Sequence, residues 1–490
     1  MKKIKLFSLT LVICLLMSLA APAALALEEP AIEAKAAVLV DLDSGRALYS
    51  LNMDEQRSPA SLTKIMTVLI ALEAVESGVC TMDTVITAQA DCRQGMDESS
   101  STAGIQPGAE ITMRELLYCA MIKSANESCN IIASYLGGSI EGFVNMMNQR
   151  AVELGCVNTH FVTTNGLSAE GHYSSAYDLY LITAEAMKHE EFVKIANTRS
   201  YLPTSAAVNA GETMYNSNAL LHEAPAYPGD YIYEGASGVK TGYTRAAGYC
   251  LISTAERAGI NVLAVVLGCD GLLNAGIDEY KNFSSTITLY DWAFDNFSYQ
   301  QVVSESDHIA KVDVALAKDD VQAILRPAKN VKLLLPNDIS TESITTSVSV
   351  MEDKLVAPLE VGEVLGEAKI FIDGEYYGST ELVNSVKIEL SRTEYLKQKL
   401  LSIFDRGWIK VLLILIVVFG GIYLALVMRY RSLRRKHLKE RRLAEQRRRM
   451  EREKLYQEDD FYRSYDEAND FVSLDMSDDE EYEDDYDEDY

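Results

Sequence analysis

Apolar residues along this chain follow two spacings, and the changes between them mark its elements. Ala36 to Val40 and Ala47 to Tyr49 are short apolar-rich runs either side of Asp43-Ser44-Gly45, which reads as a β-hairpin. Ser61 to Glu76 puts Leu62, Ile65, Met66, Leu69 and Leu72 at helical spacing and ends at Ser77-Gly78, a helix stop. Met113 to Tyr135 predicts two helices joined around Lys123-Ser124-Ala125-Asn126, and Ser175-x-x-Asp178 caps the start of another. Gly238 to Gly268 predicts three successive strands, turning near Arg245-Ala246-Ala247 and at Glu256 to Gly259. Strands at both ends with helices between them predict an α/β unit, a mostly antiparallel sheet covered by helices.

From Asp307 to about Leu390 the spacing becomes short alternating runs separated by Gly, Asn and Asp turns such as Asp373-Gly374, a separate small all-β domain. Ser391 to Phe404 reads as an amphipathic helix. Val411 to Met428 then carries no charge over eighteen residues, roughly 27 Å of helix and about the thickness of a bilayer's hydrocarbon core. Trp408 and Tyr430 flank it at interfacial positions, and Arg/Lys residues crowd in after Met428, as on the cytoplasmic side of a span.

The net charge of −27 is uneven: Arg429 to Lys454 is strongly basic and Glu458 to Tyr490 strongly acidic. The first is a charged helix candidate; the second cannot bury a core and is expected to be disordered. No nucleic-acid partner is expected. At the other end, Lys2, Lys3 and Lys5, the apolar Leu6 to Ala20 and Ala24-Leu25-Ala26 form a secretory signal. The expected parts are therefore a signal peptide (1–26), a catalytic domain (27–302), a β-rich domain (303–392), a juxtamembrane helix (393–408), a transmembrane helix (409–428), a basic cytoplasmic helix (429–454) and an acidic tail (455–490). That is a single-pass protein of the cell membrane, with its catalytic part outside the cytoplasm and its tail inside. Seven cysteines remain after the signal; an odd number leaves at least one thiol free or pairing between chains, and most read as small buried hydrophobes. No Cys/His spacing suggests a metal site, and no cofactor is expected.

Ser61-Leu62-Thr63-Lys64 is an S-x-x-K at the start of a helix, where residues three apart share a face. A serine hydroxyl needs a base to become a nucleophile, and a buried Lys beside other positive charge gives up its proton readily enough to be one. The helix N-terminus adds positive potential where an oxyanion forms. A second S-x-x-K, Ser237 to Lys240, lies on a strand, where positions three apart face opposite ways, and is rejected. Ser124-Ala125-Asn126 is an S-x-N on an interhelical turn: its Ser can relay protons and its Asn amide can bind a carbonyl. Ser128-Cys129-Asn130 has the same form inside the following helix and is rejected. Lys240-Thr241-Gly242 on an edge strand can hold a carboxylate, with Lys240 expected to face a solvent-filled groove and Gly242 allowing close backbone approach. His160 and His172, among polar loop residues, read as structural.

In this order and setting the three motifs are those of penicillin-binding proteins and class A β-lactamases. The chain resembles the low-molecular-mass serine D-alanyl-D-alanine carboxypeptidases of the penicillin-binding protein 5 type. Ser58 to Thr67, Lys123 to Glu127, Thr164 to Leu167, His172 to Ala176, Asn216 to Leu221 and Gly235 to Thr244 carry the likeness, as do Ala357-Pro358-Leu359 and Asp373-Gly374. The resemblance implies a β-lactamase/transpeptidase-like catalytic domain with an all-β C-terminal module. Ser61 would attack the carbonyl between two terminal D-alanines, Lys64 would be the base, and Ser124 would carry protons to the leaving group. Asn126 would bind the peptide, Lys240 and Thr241 its free carboxylate, and the N–H groups of Ser61 and Tyr243 would form the oxyanion hole. The partners implied are a peptidoglycan stem peptide ending in D-Ala-D-Ala and β-lactams as covalent inhibitors. The chain departs from the family at Ala125, in the loop Asp91 to Gly104, and in ending with a span and tail. The runners-up are a D,D-endopeptidase with the same residues and a non-catalytic membrane scaffold. A β-lactamase lacks support, because no convincing Glu-x-x-x-Asn loop lies between Asn165 and Lys240.

Overall fold

The computed structural model describes residues 27–208, 211–227, 229–272, 279–352, 354–404 and 406–466. Residues 1–26, expected to be a signal peptide, and residues 467–490, expected to be part of the acidic tail, lie outside these.

The expected hairpin forms as β1 (Ala36–Asp41) and β2 (Ala47–Leu51), and the three later strands as β3 (Ala236–Thr244), β4 (Gly248–Arg257) and β5 (Ile260–Cys269). They make one antiparallel sheet in the order β2-β1-β5-β4-β3. Strand side chains alternate between faces, and here both faces are apolar. Val38, Val40, Leu263 and Val265 point into one core, Leu39, Val262, Ala264 and Val266 into the other. The sheet is therefore the middle layer of three.

Helix α1 (Lys64–Glu76) is buried from Lys64 to Leu72 and lies in the first of these cores, with α2 (Met113–Ile122) and α3 (Asn126–Gly137) around it. Removing a fully buried side chain there, as in Leu69→Ala, costs about 2–5 kcal/mol through lost burial and the cavity left behind. Thr112 caps α2 by accepting from the Glu115 N–H. Helix α4 (Lys281–Asn296) covers the other face with Phe283, Leu289 and Tyr290. The order of strands makes β3 an edge, and that edge stands beside the turn that carries Ser61.

Beyond α4, Phe297–Val303 pairs with Val331–Pro336, and strands Ile344–Val350, Val364–Ile372, Glu375–Asn384 and Gln322–Pro327 are successive neighbours in a second sheet. From Ile388 onward the chain belongs to a second compact unit, with helices Arg392–Phe404 and Gly407–Asp466. The last helix includes residues 455–466, twelve positions expected to be disordered. Helical spacing simply continues across the charge reversal, since Glu, Asp, Tyr and Arg are all compatible with a helix once it is propagating. All seven cysteines among the described residues are buried and unbridged.

Candidate active site

Ala60–Thr63 is a single 3₁₀ turn that passes directly into α1. The turn opens on Ala60, whose φ of +47° is unusual for a residue with a side chain. It leaves the Ser61 side chain partly exposed and lays Lys64 fully inside the protein. The amine comes back to Ser61 Oγ at 2.8 Å. It also reaches Asn126 Oδ1 at 2.8 Å and the carbonyl oxygen of Asn165 at 2.7 Å. An ammonium has three protons for these three acceptors. A neutral amine keeps two for Asn126 and Asn165 and turns its lone pair to the Ser61 hydroxyl, so two fixed acceptors aim the base.

Burial lowers the Lys64 pKa to about 8, with Cys129 and Glu127 acting in the opposite direction. Lys240, also buried, is lowered to about 7, first by burial and then by the Lys64 charge. Its amine donates to the Thr241 carbonyl at 3.1 Å. The expectation of a solvent-facing Lys240 is thus corrected: only 1% of it is exposed, because inward-facing positions of β3 are covered by the helical layer. The Ser237 to Lys240 pairing fails as expected, with Ser237 Oγ donating to Asn197 Oδ1 instead.

Ser124 sits at φ +58° on the turn between α2 and α3, and Asn126 opens α3. Gly242 lies where a Cβ would come within 3.1 Å of the Ser61 nitrogen and 3.2 Å of the Pro59 oxygen. The edge strand passes that close to the nucleophile turn because Gly has no side chain. Ser61, Ser124, Thr241, Gly242 and Tyr243 line one cavity of about 560 Å³. Ser99, Ser101 and Thr102 of the 91–104 loop line the same cavity.

Several contributors escaped the sequence reading. Asn165 acts through its carbonyl, which no side-chain motif reveals. Asn130, rejected as a motif member, is buried beneath the site, accepting from Thr164 Oγ1 at 2.6 Å and donating to the Cys92 carbonyl at 3.0 Å. Ser217 hydrogen-bonds Thr241, and Glu127 is buried one residue after Asn126. His172 lies in its loop as expected but is buried: its Nδ1 accepts from the Val162 N–H at 3.0 Å, leaving Nε2 to donate to Thr63 Oγ1 at 2.9 Å.

Residues 23–271 match the family described as D-alanyl-D-alanine carboxypeptidase, and residues 297–390 match the C-terminal domain of penicillin-binding protein 5. D-alanyl-D-alanine carboxypeptidase DacF of Bacillus subtilis (strain 168) is 34% identical over 374 residues, covering 75% of this chain and 90% of that protein. D-alanyl-D-alanine carboxypeptidase DacA of Escherichia coli (strain K12) is 28% identical over 357 residues, covering 72% and 83%. Penicillin binding protein 6B from Escherichia coli superimposes with a TM-score of 0.55 at 26% identity, over 74% of this chain and 98% of that one. Penicillin binding protein 5 from Haemophilus influenzae shares the fold with a TM-score of 0.57 at 24% identity, over 74% and 99%.

Proposed function

The chain belongs to the serine D-alanyl-D-alanine carboxypeptidases, and from that premise we propose how its own residues carry out the reaction. It is a peptidase that removes a terminal D-alanine and binds penicillins; the assignment of each residue is our reading. Ser61 attacks the carbonyl of the penultimate D-alanine as its proton passes to neutral Lys64. The N–H groups of Ser61 and Tyr243 take the developing oxyanion. Ser124 hands a proton to the departing D-alanine amine, and water then releases the acyl-enzyme with the same groups in reverse. Lys240 and Thr241 hold the free terminal carboxylate and Asn126 the peptide carbonyl. A β-lactam enters as a substrate whose acyl-enzyme clears slowly.

The observation that carries this reading is the Lys64 amine shared among Ser61 Oγ, Asn126 Oδ1 and the Asn165 carbonyl. It joins two of the three motifs and points the base at the nucleophile. The substrate is read as a peptidoglycan stem pentapeptide. Fluorescent-penicillin labelling and D-alanine release from such a pentapeptide test it, and both are expected to vanish in Ser61→Ala. A labelled Ser61→Ala protein would end the assignment.

The setting is part of the proposal. Helix Gly407–Asp466 contains a stretch long and apolar enough to cross a membrane, and its apolar residues from Val411 to Leu426 are exposed. A band of that length is stable in hydrocarbon and not in water. We read it as a single anchor with the basic stretch cytoplasmic and the catalytic unit outside.

A further inference from the structure

We infer that Glu127 is a positioning residue of this site: one of its carboxylate oxygens holds the segment that walls the cavity, and its charge is the counter-ion of the Lys64 amine. This rests on Lys64 being the base.

Glu127 is fully buried in the first turn of α3. Buried carboxylates are rare because desolvating the charge is costly. Its Oε1 accepts from the Ala103 N–H at 2.7 Å, from Thr102 Oγ1 at 2.7 Å and from the Ile105 N–H at 3.4 Å. The Asn126 N–H donates to the Ser101 carbonyl at 3.0 Å beside them. The first turn of one helix therefore fastens residues 101–105, of which Ser101 and Thr102 face the cavity. Asn126, by its side chain, holds Lys64 from the same turn.

Glu127 Oε2 is buried as well and takes no hydrogen bond from the described residues. An amide would satisfy the three donors on Oε1 equally well, so the hydrogen bonds alone do not account for a charge here. The groups around it do. Lys64 is held at 2.8 Å by the side chain of Asn126, the residue before Glu127 on the same helix turn, so the Glu127 charge acts on it, and the Lys64 charge acts in turn on Lys240 of β3. Cys129 on α3, Cys119 on α2 and Cys92 on the loop are the other titratable neighbours. Burial pushes each of these thiols up, so they are neutral near pH 7. Asp91 and Arg93 act on Cys92 from the loop. Glu115, beyond Cys119, is engaged by the N–H groups of Thr204 and Ser205. The standing negative charge acting on Lys64 is therefore Glu127. It raises the affinity of that amine for its proton, against the burial that lowers it, and so sets the pH at which the base becomes free.

The test uses two variants of detergent-solubilised full-length protein. Glu127→Gln keeps an acceptor and removes the charge, whereas Glu127→Asp keeps the charge and shortens the reach. The rate of acylation by a fluorescent penicillin is followed from pH 5.5 to 9.5, with KM for D-alanine release from a stem pentapeptide. In Glu127→Gln the acidic limb is expected to move to lower pH, raising the rate at pH 6.5 relative to the plateau at least about threefold, the effect of a half-unit displacement. Its KM should change less than about twofold. In Glu127→Asp the limb should stay in place while KM rises several-fold. A Glu127→Gln profile superimposable on the parent's would overturn the counter-ion role, and an unchanged KM in Glu127→Asp would overturn the fastening role. Each arm stands if the other variant fails to fold. Wild-type acylation in Lys64→Ala would instead remove the base assignment itself, an outcome separate from both.

Discussion

The Lys64 amine lies 2.8 Å from the Ser61 hydroxyl oxygen, across the join between a 3₁₀ turn and an α-helix. At three residues' separation the 3₁₀ turn nearly eclipses the two side chains, which is why the contact is direct.

The first prediction follows from that contact. Because the Lys64 pKa is lowered to about 8 by burial, the neutral base is scarce below that pH. Acylation by penicillin should therefore rise roughly tenfold per pH unit up to about pH 8 and then level off. Rapid-mixing measurements between pH 6 and 9 check this, and a flat profile would take Lys64 out of the role.

A second prediction concerns Lys240. Its burial makes Lys240→Ala a poor test, since the cavity alone would cost about 2–5 kcal/mol. Lys240→Met fills the same space without the charge, and it should fold. It should lose roughly 10²-fold in kcat/KM on peptides with a free C-terminal carboxylate, and far less on C-terminal amides. A carboxylate beside this lysine also favours its charged form. Since its pKa is lowered to about 7, KM for free-acid peptides should rise as pH climbs above that value. Equal losses on acid and amide would give Lys240 another role.

A third prediction is about stability. Burial, then the nearby His160, lower the His172 pKa to about 4, against 6.5 for an ordinary imidazole. Between these values the unfolded chain binds a proton that the folded protein does not. Stability is therefore full above about pH 6.5 and falls as pH drops towards 4, by about 3 kcal/mol from this residue. The proton would arrive on Nδ1, which accepts from the Val162 N–H, so protonation breaks that bond. Thermal melts from pH 4 to 7 should show the loss, and His172→Gln should flatten it. An unaltered slope in the variant would assign the acid sensitivity elsewhere.

The legible part of this protein was the local part. Ser61 and Lys64 are three residues apart, and the hydrophobic spacing of Ile65, Met66 and Leu69 fixed the helix that joins them. The three strands from β3 to β5 were readable because each has apolar residues bounded by turns. What the spacing could not reveal was depth and distance. Lys240 is buried by helices far away in sequence, and Asn165 meets Lys64 across 101 positions with a backbone atom that every residue has. His172 closes on Thr63 across 109 positions. Glu127 has no chemical role legible in the stretch Lys123 to Glu127, and only the segment 102–105 packed onto it makes it part of the site.

The last prediction separates the catalytic unit from the anchor. The three motifs all end by Gly242, and the cavity is lined entirely by residues before Thr244. The strands from Phe297 to Asn384 carry none of the groups in the mechanism. Helix Gly407–Asp466 has an exposed apolar band that water would not tolerate, whereas the cores around the five-stranded sheet are closed. Residues 27–392 alone should thus be soluble, and their kcat/KM on small D-Ala-D-Ala peptides should lie within about twofold of the full chain, since nothing in the mechanism is removed. Exported full-length protein should resist carbonate extraction from membranes, and protease added from the cytoplasmic side should trim only the stretch after Met428. A truncated protein that folds by circular dichroism and labels with penicillin, yet releases no D-alanine, would place part of the hydrolytic machinery beyond residue 392. Extraction of the full chain by carbonate would show that the apolar helix is not inserted, leaving the activity assignment untouched and the anchor reading wrong.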